Sequence, residues 1–300
     1  MSGAQANWPQ PLGGINWQLA WLTPYARLGR PLAQGVLRGE PVWQVLNALR
    51  DTDEVCTQLL HQPPRQARPS FVAQSALPHG QAYEAYIYQT RTVPTRCGAH
   101  DFFNGLMWLN WPLTKATLNQ RQWQALEAAG GVGQTRGPTR DALTLLDENG
   151  AVLLAPPAIW DALRHRQWQM AFVTLRPLWA QCQLLVVGHA LLEQLLLYPR
   201  KSLTAHVWLP TPSVQALFGK QSPISGIDHA LAQALRDDDL SQKPFTPLPV
   251  MGTPNWCDDN ANPCFYDDPQ VFRPLRLGQN PPQRVVALKK NVEIYTKAHI

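Results

Sequence analysis

Two segments of the sequence each place a histidine close to a carboxylate or amide side chain. His100 is followed by Asp101 and, one helical turn later, by Asn104. His189 is followed by Glu193 at the same four-residue spacing. An imidazole can bind a metal or transfer a proton near neutral pH, and a neighbouring carboxylate can orient it. We therefore take these five residues as candidate catalytic groups that converge on one cavity.

This set of residue types favours a cytosolic enzyme, with metal-assisted hydrolysis as the leading hypothesis. The candidate ligands of a divalent metal are His100, His189 and Glu193, because imidazole nitrogens and carboxylate oxygens bind such ions. Three basic residues could hold an anionic group of a small-molecule substrate: Arg96, Lys115 and Arg140. A histidine and a carboxylate one turn apart are also common in helices that have no site. The competing interpretation is therefore that these groups only stabilise the fold.

Both histidines are predicted to lie near the start of a helix. From Ala99 onward, apolar residues recur at helical spacing. Trp111-Pro112 ends this helix, because the proline ring lacks an N–H and clashes with the preceding turn. Residues 183–187 form a short apolar run that is typical of a buried strand. Gly188-His189 then leads into a helix that stops at Pro199.

The segment between these helices is predicted to contain a β-hairpin at residues 139–155. Two apolar runs flank Asp147-Glu148-Asn149-Gly150, and Asn-Gly is a favoured pair in tight hairpin turns. Asp147 and Glu148 are then turn residues on the surface. Arg140-Asp141 lies at the predicted strand entry, where an arginine–carboxylate bridge would fix the sheet edge. Residues 83–89 are rich in strand formers, although a helix is the alternative.

The remaining pattern predicts a single α+β domain that spans residues 1–300. Residues 1–35 form an N-terminal arm, and residues 203–209 alternate and return to a small, mostly antiparallel sheet packed by helices. From residue 210 to 300 the chain loses its periodicity. Its proline-rich and aromatic part at 244–275 is predicted to wrap around the body of the protein.

Short motifs distributed over most of the chain carry a family resemblance. They are Val93-Pro94-Thr95-Arg96, His100 to Asn104, Trp108-Leu109, Lys115, Leu118-Asn119, Arg140 to Leu143, Asp147-Glu148, Gly188 to Glu193, Phe265-Tyr266 and Val271 to Pro274. As a set, they resemble the bacterial family called "domain of unknown function 3025". The resemblance implies a family but neither an activity nor a catalytic residue. Cys97, Cys257 and Cys264 do not fit the pattern, which argues against a cysteine-based site.

The amino-acid composition narrows the classes of protein to which this chain could belong. The chain has 300 residues, of which 45% are hydrophobic and 16% charged, and a chain of this length can bury a large core. The net charge is +5, but the basic residues are scattered, so a nucleic-acid partner is not indicated. Five cysteines without paired zinc-type spacing are typical of free thiols in a reducing cytosol. Neither a secretory signal nor a membrane span is recognisable.

A second hypothesis from a different class follows from the 12 tryptophans. In a non-catalytic ligand-binding or protein-interaction domain, they would line a groove or form an exposed aromatic patch. Burial of every tryptophan, together with the absence of a pocket, would count against this alternative. Separation of His100 from His189 would count against the enzyme hypothesis.

Overall fold

The computed structural model describes residues 8–52, 68–130, 137–220, 222–276, 278 and 280–282. The helices are α1 (Ala26–Leu37), α2 (Val42–Arg50), α3 (Tyr83–Thr90), α4 (Ala99–Asn110), α5 (Pro112–Ala128), α6 (Pro138–Asn149), α7 (Pro157–Arg164), α8 (His189–Leu197), α9 (Pro212–Gln215) and α10 (Ile224–Asp237). The strands are β1 (Ser70–Ala73), β2 (Thr92–Thr95), β3 (Gly150–Leu154), β4 (Gln183–Val186), β5 (Thr204–Trp208) and β6 (Phe245–Pro249). This combination confirms the predicted α+β class.

A four-stranded sheet forms the centre of the fold, in the order β4-β3-β5-β6. The β3–β4 and β5–β6 pairs are antiparallel, whereas β3 and β5 run parallel. Every residue of β3 is buried, as expected for a central strand covered on both faces. A separate parallel pair, β1 and β2, leads into α4. The prediction of a small, mostly antiparallel sheet is thus confirmed in outline.

The helices that carry the candidate histidines begin where the sequence predicted. Helix α4 ends before Trp111-Pro112 and is buried along most of its length. Helix α8 follows β4 through Gly188 and starts at His189. The two helices pack against each other, because each presents an apolar stripe that must be covered.

The predicted hairpin at residues 139–155 is wrong in its first half. Residues 138–149 form helix α6, and only the second apolar run becomes a strand, β3. Ala142, Leu143 and Leu146 recur at helical spacing and are completely buried, which stabilises a helix rather than a hairpin arm. Asn149-Gly150 ends the helix and opens the strand. The segment at residues 83–89 also forms a helix, α3.

The two ends of the chain are more regular than their sequences indicated. In the N-terminal segment, Tyr25 donates a 2.5 Å hydrogen bond to the carbonyl of Val186 in β4. Helix α1 continues through Pro31. Beyond residue 210, helix α10 and strand β6 interrupt the irregular chain. The aromatic segment then packs Trp256, Tyr266 and Phe272 into the core, along with a half-buried Phe265.

Candidate functional site

The two candidate histidines meet, although 88 residues separate them in the sequence. Nε2 of His100 lies 3.0 Å from Nε2 of His189, and the ring centroids are 4.5 Å apart. Nδ1 of His100 is 3.0 Å from Oε2 of Glu193. Helices α4 and α8 therefore bring the predicted histidine and carboxylate groups into one cluster.

Two further carboxylates, which the sequence interpretation had assigned to a surface turn, complete this cluster. Oε2 of Glu148 lies 3.6 Å from Nε2 of His189. Oδ2 of Asp147 lies 4.0 Å from Nδ1 of His189, a buried nitrogen without a hydrogen-bond partner in the described part of the chain. Both acids were missed because the hairpin prediction placed them at a turn. The signal that could have found them is the helical spacing of the apolar residues just before them.

Gly188 permits the approach between α6 and α8. A Cβ atom at this position would overlap the backbone oxygen of Glu148 and the backbone nitrogens of Asn149 and Gly150. The N–H of Gly188 donates a 2.8 Å hydrogen bond to the carbonyl of Gly150. The absence of a side chain thus lets the start of α8 lie directly against the end of α6, where the two acids are located.

Lys115 lies at the centre of a buried polar network. Its ammonium group donates to Oδ1 of Asp147 at 2.5 Å and to Oδ1 of Asn104 at 2.8 Å. It also lies 5.4 Å from the ring centroid of Trp108. The amide nitrogen of Asn104 in turn donates to the hydroxyl of Tyr83 at 3.2 Å. Because Lys115 is buried and ion-paired with Asp147, it positions other groups rather than offering a free cation.

The other two basic candidates have different surroundings. Arg96 forms an ion pair with Asp101, with Nη2 3.1 Å from Oδ1, and its backbone N–H also donates to this carboxylate. The carboxylate of Asp101 therefore fixes the loop before α4. Arg140 lies on α6 outside the cavity that the other candidates line. The predicted bridge from Arg140 to Asp141 does not form, and Asp141 lies 3.9 Å from Nζ of Lys243 instead.

The environment shifts the pKa values of the two histidines in opposite directions. The hydrogen bond to Glu193 raises the pKa of His100 above its usual range. Burial, with a contribution from the charge of Lys115, lowers the pKa of His189 to about 3. His189 is therefore neutral at pH 7, while His100 can carry a proton between Glu193 and the second imidazole.

The pKa values of the two carboxylates on α6 are also shifted in opposite directions. Burial raises the pKa of Glu148, and the nearby charge of Asp147 adds to that effect. For Asp147, burial acts in the same direction, but the positive charge of Lys115 and the hydrogen bond that Lys115 donates outweigh it and lower the pKa. Asp147 is thus held as a carboxylate beside the lysine, and Glu148 is the less compensated acid.

These groups line a cavity of about 330 Å³. Its wall includes His100, Glu148 and His189, and it also includes Glu84, Asn119 and Gln122. A second cavity of about 350 Å³ shares Arg96, His100 and Asp101 with the first and is lined by Glu193. The volume of each cavity is within the range of small-molecule sites.

A metal-compatible set of three side chains lies within this cavity. His100, Glu148 and His189 can each offer one ligand atom, and these atoms lie within 4.8 Å of one another. Glu193, which the sequence had suggested as a ligand, instead contacts the Nδ1 nitrogen of His100. Its position is therefore that of a carboxylate that orients a ligand.

Within the described residues, the tryptophans do not form a large exposed aromatic patch, which is one of the two arrangements that the alternative hypothesis proposed. Nine of them are buried in the core. The other three, Trp8, Trp43 and Trp123, are half-buried. Trp123 stacks on Tyr88 with centroids 4.0 Å apart and so joins α3 to α5. Across the part of the chain that the structure describes, the tryptophans support packing rather than an aromatic docking patch.

The fold and site define an α+β protein with a polar cavity rich in histidine and carboxylate groups. The family model described as "Protein of unknown function (DUF3025)" matches residues 69–276, and the chain belongs to that family. The match includes all five predicted catalytic residues as well as Asp147 and Glu148. No curated protein and no solved structure matches the chain. Among the described helices, none has the length and apolar character needed to cross a membrane.

Proposed function

We propose that this protein is a metal-dependent hydrolase that uses His100, His189 and Glu148 to hold a divalent cation. The observation that carries the proposal is the convergence of two imidazoles and one carboxylate, with a further carboxylate beside each imidazole. Glu193 contacts Nδ1 of His100, and Asp147 lies near Nδ1 of His189. Such outer carboxylates keep the proton on Nδ1 and leave the lone pair of Nε2 for a metal.

The distances fit this assignment. Two nitrogens bound to one Zn²⁺ at tetrahedral angles lie about 3.3 Å apart, given bonds of about 2.0 Å. The two Nε2 atoms are 3.0 Å apart, and Nε2 of His189 is 3.6 Å from the Glu148 carboxylate. Among the residues that the structure describes, the buried Nδ1 of His189 has no hydrogen-bond partner, and a metal on Nε2 would favour the tautomer that directs a proton from Nδ1 towards Asp147.

A divalent cation held by these residues would polarise a substrate carbonyl and lower the pKa of a coordinated water. The protein contributes a neutral hydrogen-bond donor from Tyr83. Asn104 donates to the Tyr83 hydroxyl, so the proton of that hydroxyl is free for a substrate oxygen. Burial raises the pKa of Tyr83, and the charges of Asp101 and Asp147 add to that effect, so the phenol remains protonated. Tyr83 thus suits a developing oxyanion.

The charges of the cavity favour a carbonyl substrate over a phosphoryl one. Among the described residues, four carboxylates line it: Glu84, Asp101, Asp147 and Glu148. The two cationic side chains in its wall, Arg96 and Lys115, are already paired with Asp101 and Asp147. A phosphate group would add negative charge to a wall with an excess of carboxylates, whereas an ester or amide would not.

A metal-free acid–base pair is the second candidate, and the opposite pKa shifts of the two histidines favour it. A protonated His100 can donate from Nε2 to the neutral His189, while its Nδ1–H donates to Glu193. Adjacent groups with separated pKa values are typical of acid–base catalysis. In this case, hydrolysis would not require a metal.

Both candidates are tested by measuring the hydrolysis of a panel of esters and amides by chelator-treated protein, with and without added Zn²⁺, Mn²⁺ or Co²⁺. The proposal predicts turnover only after metal is restored. It also predicts that Glu148→Gln abolishes turnover, whereas Glu127→Gln, at an exposed position on α5, leaves it unchanged. Turnover that is equal without metal would establish the acid–base pair instead. If no ester or amide is hydrolysed under any condition, both candidates fail.

A further inference from the structure

We infer that the part of the cavity lined by Glu84 and Gln122 binds the ammonium group of an amine-bearing substrate. The inference names the substrate class of the proposed hydrolase and rests on that proposal for its catalytic meaning. The binding of an ammonium group does not depend on it and can be tested separately.

A buried polar stripe on α5 leads to this subsite. Lys115, Asn119 and Gln122 are spaced four and three residues apart, so they lie on one face of the helix. Each is more than nine-tenths buried. Lys115 is bonded to Asp147 and Asn104, and Asn119 donates to the backbone carbonyl of Glu84.

Gln122 is the member of this stripe whose side chain lacks a protein partner. It is 8% exposed and lines the cavity, yet its amide makes no hydrogen bond within the described residues. The amide reaches the cavity, where a bound group or water can meet its hydrogen-bonding capacity. Its amide oxygen is an acceptor available to a group bound in the cavity.

Glu84 supplies the negative charge of the proposed ammonium subsite. It lies in the first turn of α3, which is held against α5 by the Asn119 hydrogen bond and by the stacking of Tyr88 on Trp123. Its side chain is half-buried, lines the cavity and has neither an ion pair nor a hydrogen bond among the residues described.

The balance of charges in the cavity wall favours a cationic ligand. Of the four carboxylates in the cavity wall, Asp101 and Asp147 are neutralised by basic side chains, and Glu148 is assigned to the metal. Glu84 remains as the uncompensated charge. A partly desolvated carboxylate favours a cationic partner. An ammonium group offers three N–H donors, which the Glu84 carboxylate and the Gln122 amide oxygen can accept together.

The test uses butylammonium as the probe and butyrate as its matched anion, each titrated calorimetrically into chelator-treated protein at constant ionic strength. We expect saturable binding of butylammonium and none of butyrate. We expect Glu84→Gln to weaken binding roughly tenfold or more, because it removes a charge-assisted hydrogen bond. The exposed Glu127→Gln, also an acid-to-amide change, should have no effect.

Metal affinity measured on the same variants separates this inference from the proposed function. Glu84→Gln should keep wild-type Zn²⁺ affinity, and Glu148→Gln should lose Zn²⁺ but keep butylammonium. Absence of butylammonium binding, equal binding of butyrate, or unchanged affinity in Glu84→Gln would overturn the subsite. Loss of butylammonium in Glu148→Gln would move the ammonium to the metal position and would also overturn it. None of these results affects the metal assignment.

Discussion

Replacement of Lys115 by methionine should destabilise the protein strongly, because it leaves Asp147 without its cation. The lysine side chain is 4% exposed and the aspartate side chain 22%. Removing one partner of a buried ion pair costs about 3–5 kcal/mol, and the partial exposure of Asp147 favours the lower end, about 3 kcal/mol. The lost hydrogen bond to Asn104 is included in that figure.

A double variant, Lys115→Met combined with Asp147→Asn, isolates the interaction between these two side chains. Once the unpaired carboxylate is removed, most of the lost stability should return, so the two substitutions should be clearly non-additive. Arg38→Met is the control, because the Arg38–Glu40 pair is 65% and 45% exposed and should contribute less than about 1 kcal/mol.

Urea unfolding of chelator-treated protein at pH 7 measures these differences without any contribution from bound metal. The pKa of Asp147 is lowered in the folded state, so the stability from its charge is present above the ordinary carboxyl pKa of about 3.9. It is lost as the pH falls through the lower folded value. The cost of Lys115→Met should therefore shrink towards pH 3. Two results would contradict a strong interaction between Lys115 and Asp147. One is a loss of unfolding free energy in Lys115→Met no larger than that in Arg38→Met, and the other is simple additivity in the double variant.

Three further results are expected. In metal-free protein, NMR titration should give His100 a pKa above 6.5, and Glu193→Gln should lower it; an unchanged value would mean that the carboxylate does not act on the imidazole. Gly188→Ala should destabilise the fold by roughly 1–3 kcal/mol in thermal or urea unfolding, because the added Cβ meets the backbone at the end of α6. Gly98→Ala is the control and should change stability by less than about 1 kcal/mol, since Gly98 lies at the start of α4 with open space around it. Equal effects of the two substitutions would contradict the close approach of α8 to α6. Burial raises the pKa of Asp228 to about 6, so the folded state binds this proton more tightly than the unfolded state does, and stability from this group falls as the pH rises from about 4 to 6. Relative to Asp228→Asn, wild-type protein should lose roughly 2 kcal/mol between pH 4 and pH 7, and a constant difference would exclude the shift.

The starts of both site helices could be predicted because local signals agree there. At Gly188-His189, a short apolar strand, a glycine and a helical pattern all indicate the same boundary. At residues 98–112, Gly98 and Pro112 enclose one helical pattern. Where the secondary-structure propensity of the residues agrees with the periodicity of the apolar positions, an element can be predicted from a single sequence.

The pairing of the two histidines could only be a hypothesis, since it depends on the packing of α4 against α8. Helical spacing fixes which residues share a face, but it does not identify the face of another helix that covers them. The 3.0 Å approach of His100 to His189 results from that long-range packing. The same holds for Lys115, whose burial beside Asp147 converts a candidate anion-binding residue into a positioning residue.

Asp147 and Glu148 show how one local ambiguity can hide a site. Asn149-Gly150 is a hairpin signal, but the same dipeptide also ends a helix before a strand. A hairpin would expose both acids, whereas the helix directs them into the cavity. The helical spacing of Ala142, Leu143 and Leu146, which the structure buries completely, is the sequence signal that favours the helix over the turn.

Titration of chelator-treated protein with Zn²⁺, in competition with a coloured chelator, tests the metal assignment most directly. We expect one Zn²⁺ ion to bind per chain. Affinity should fall about 100-fold or more in His189→Ala and in Glu148→Gln and about 10–100-fold in Glu193→Gln, with no change in His229→Ala, which removes an exposed histidine outside the site. Absence of binding, or an affinity that does not respond to Glu148 and His189, would contradict it.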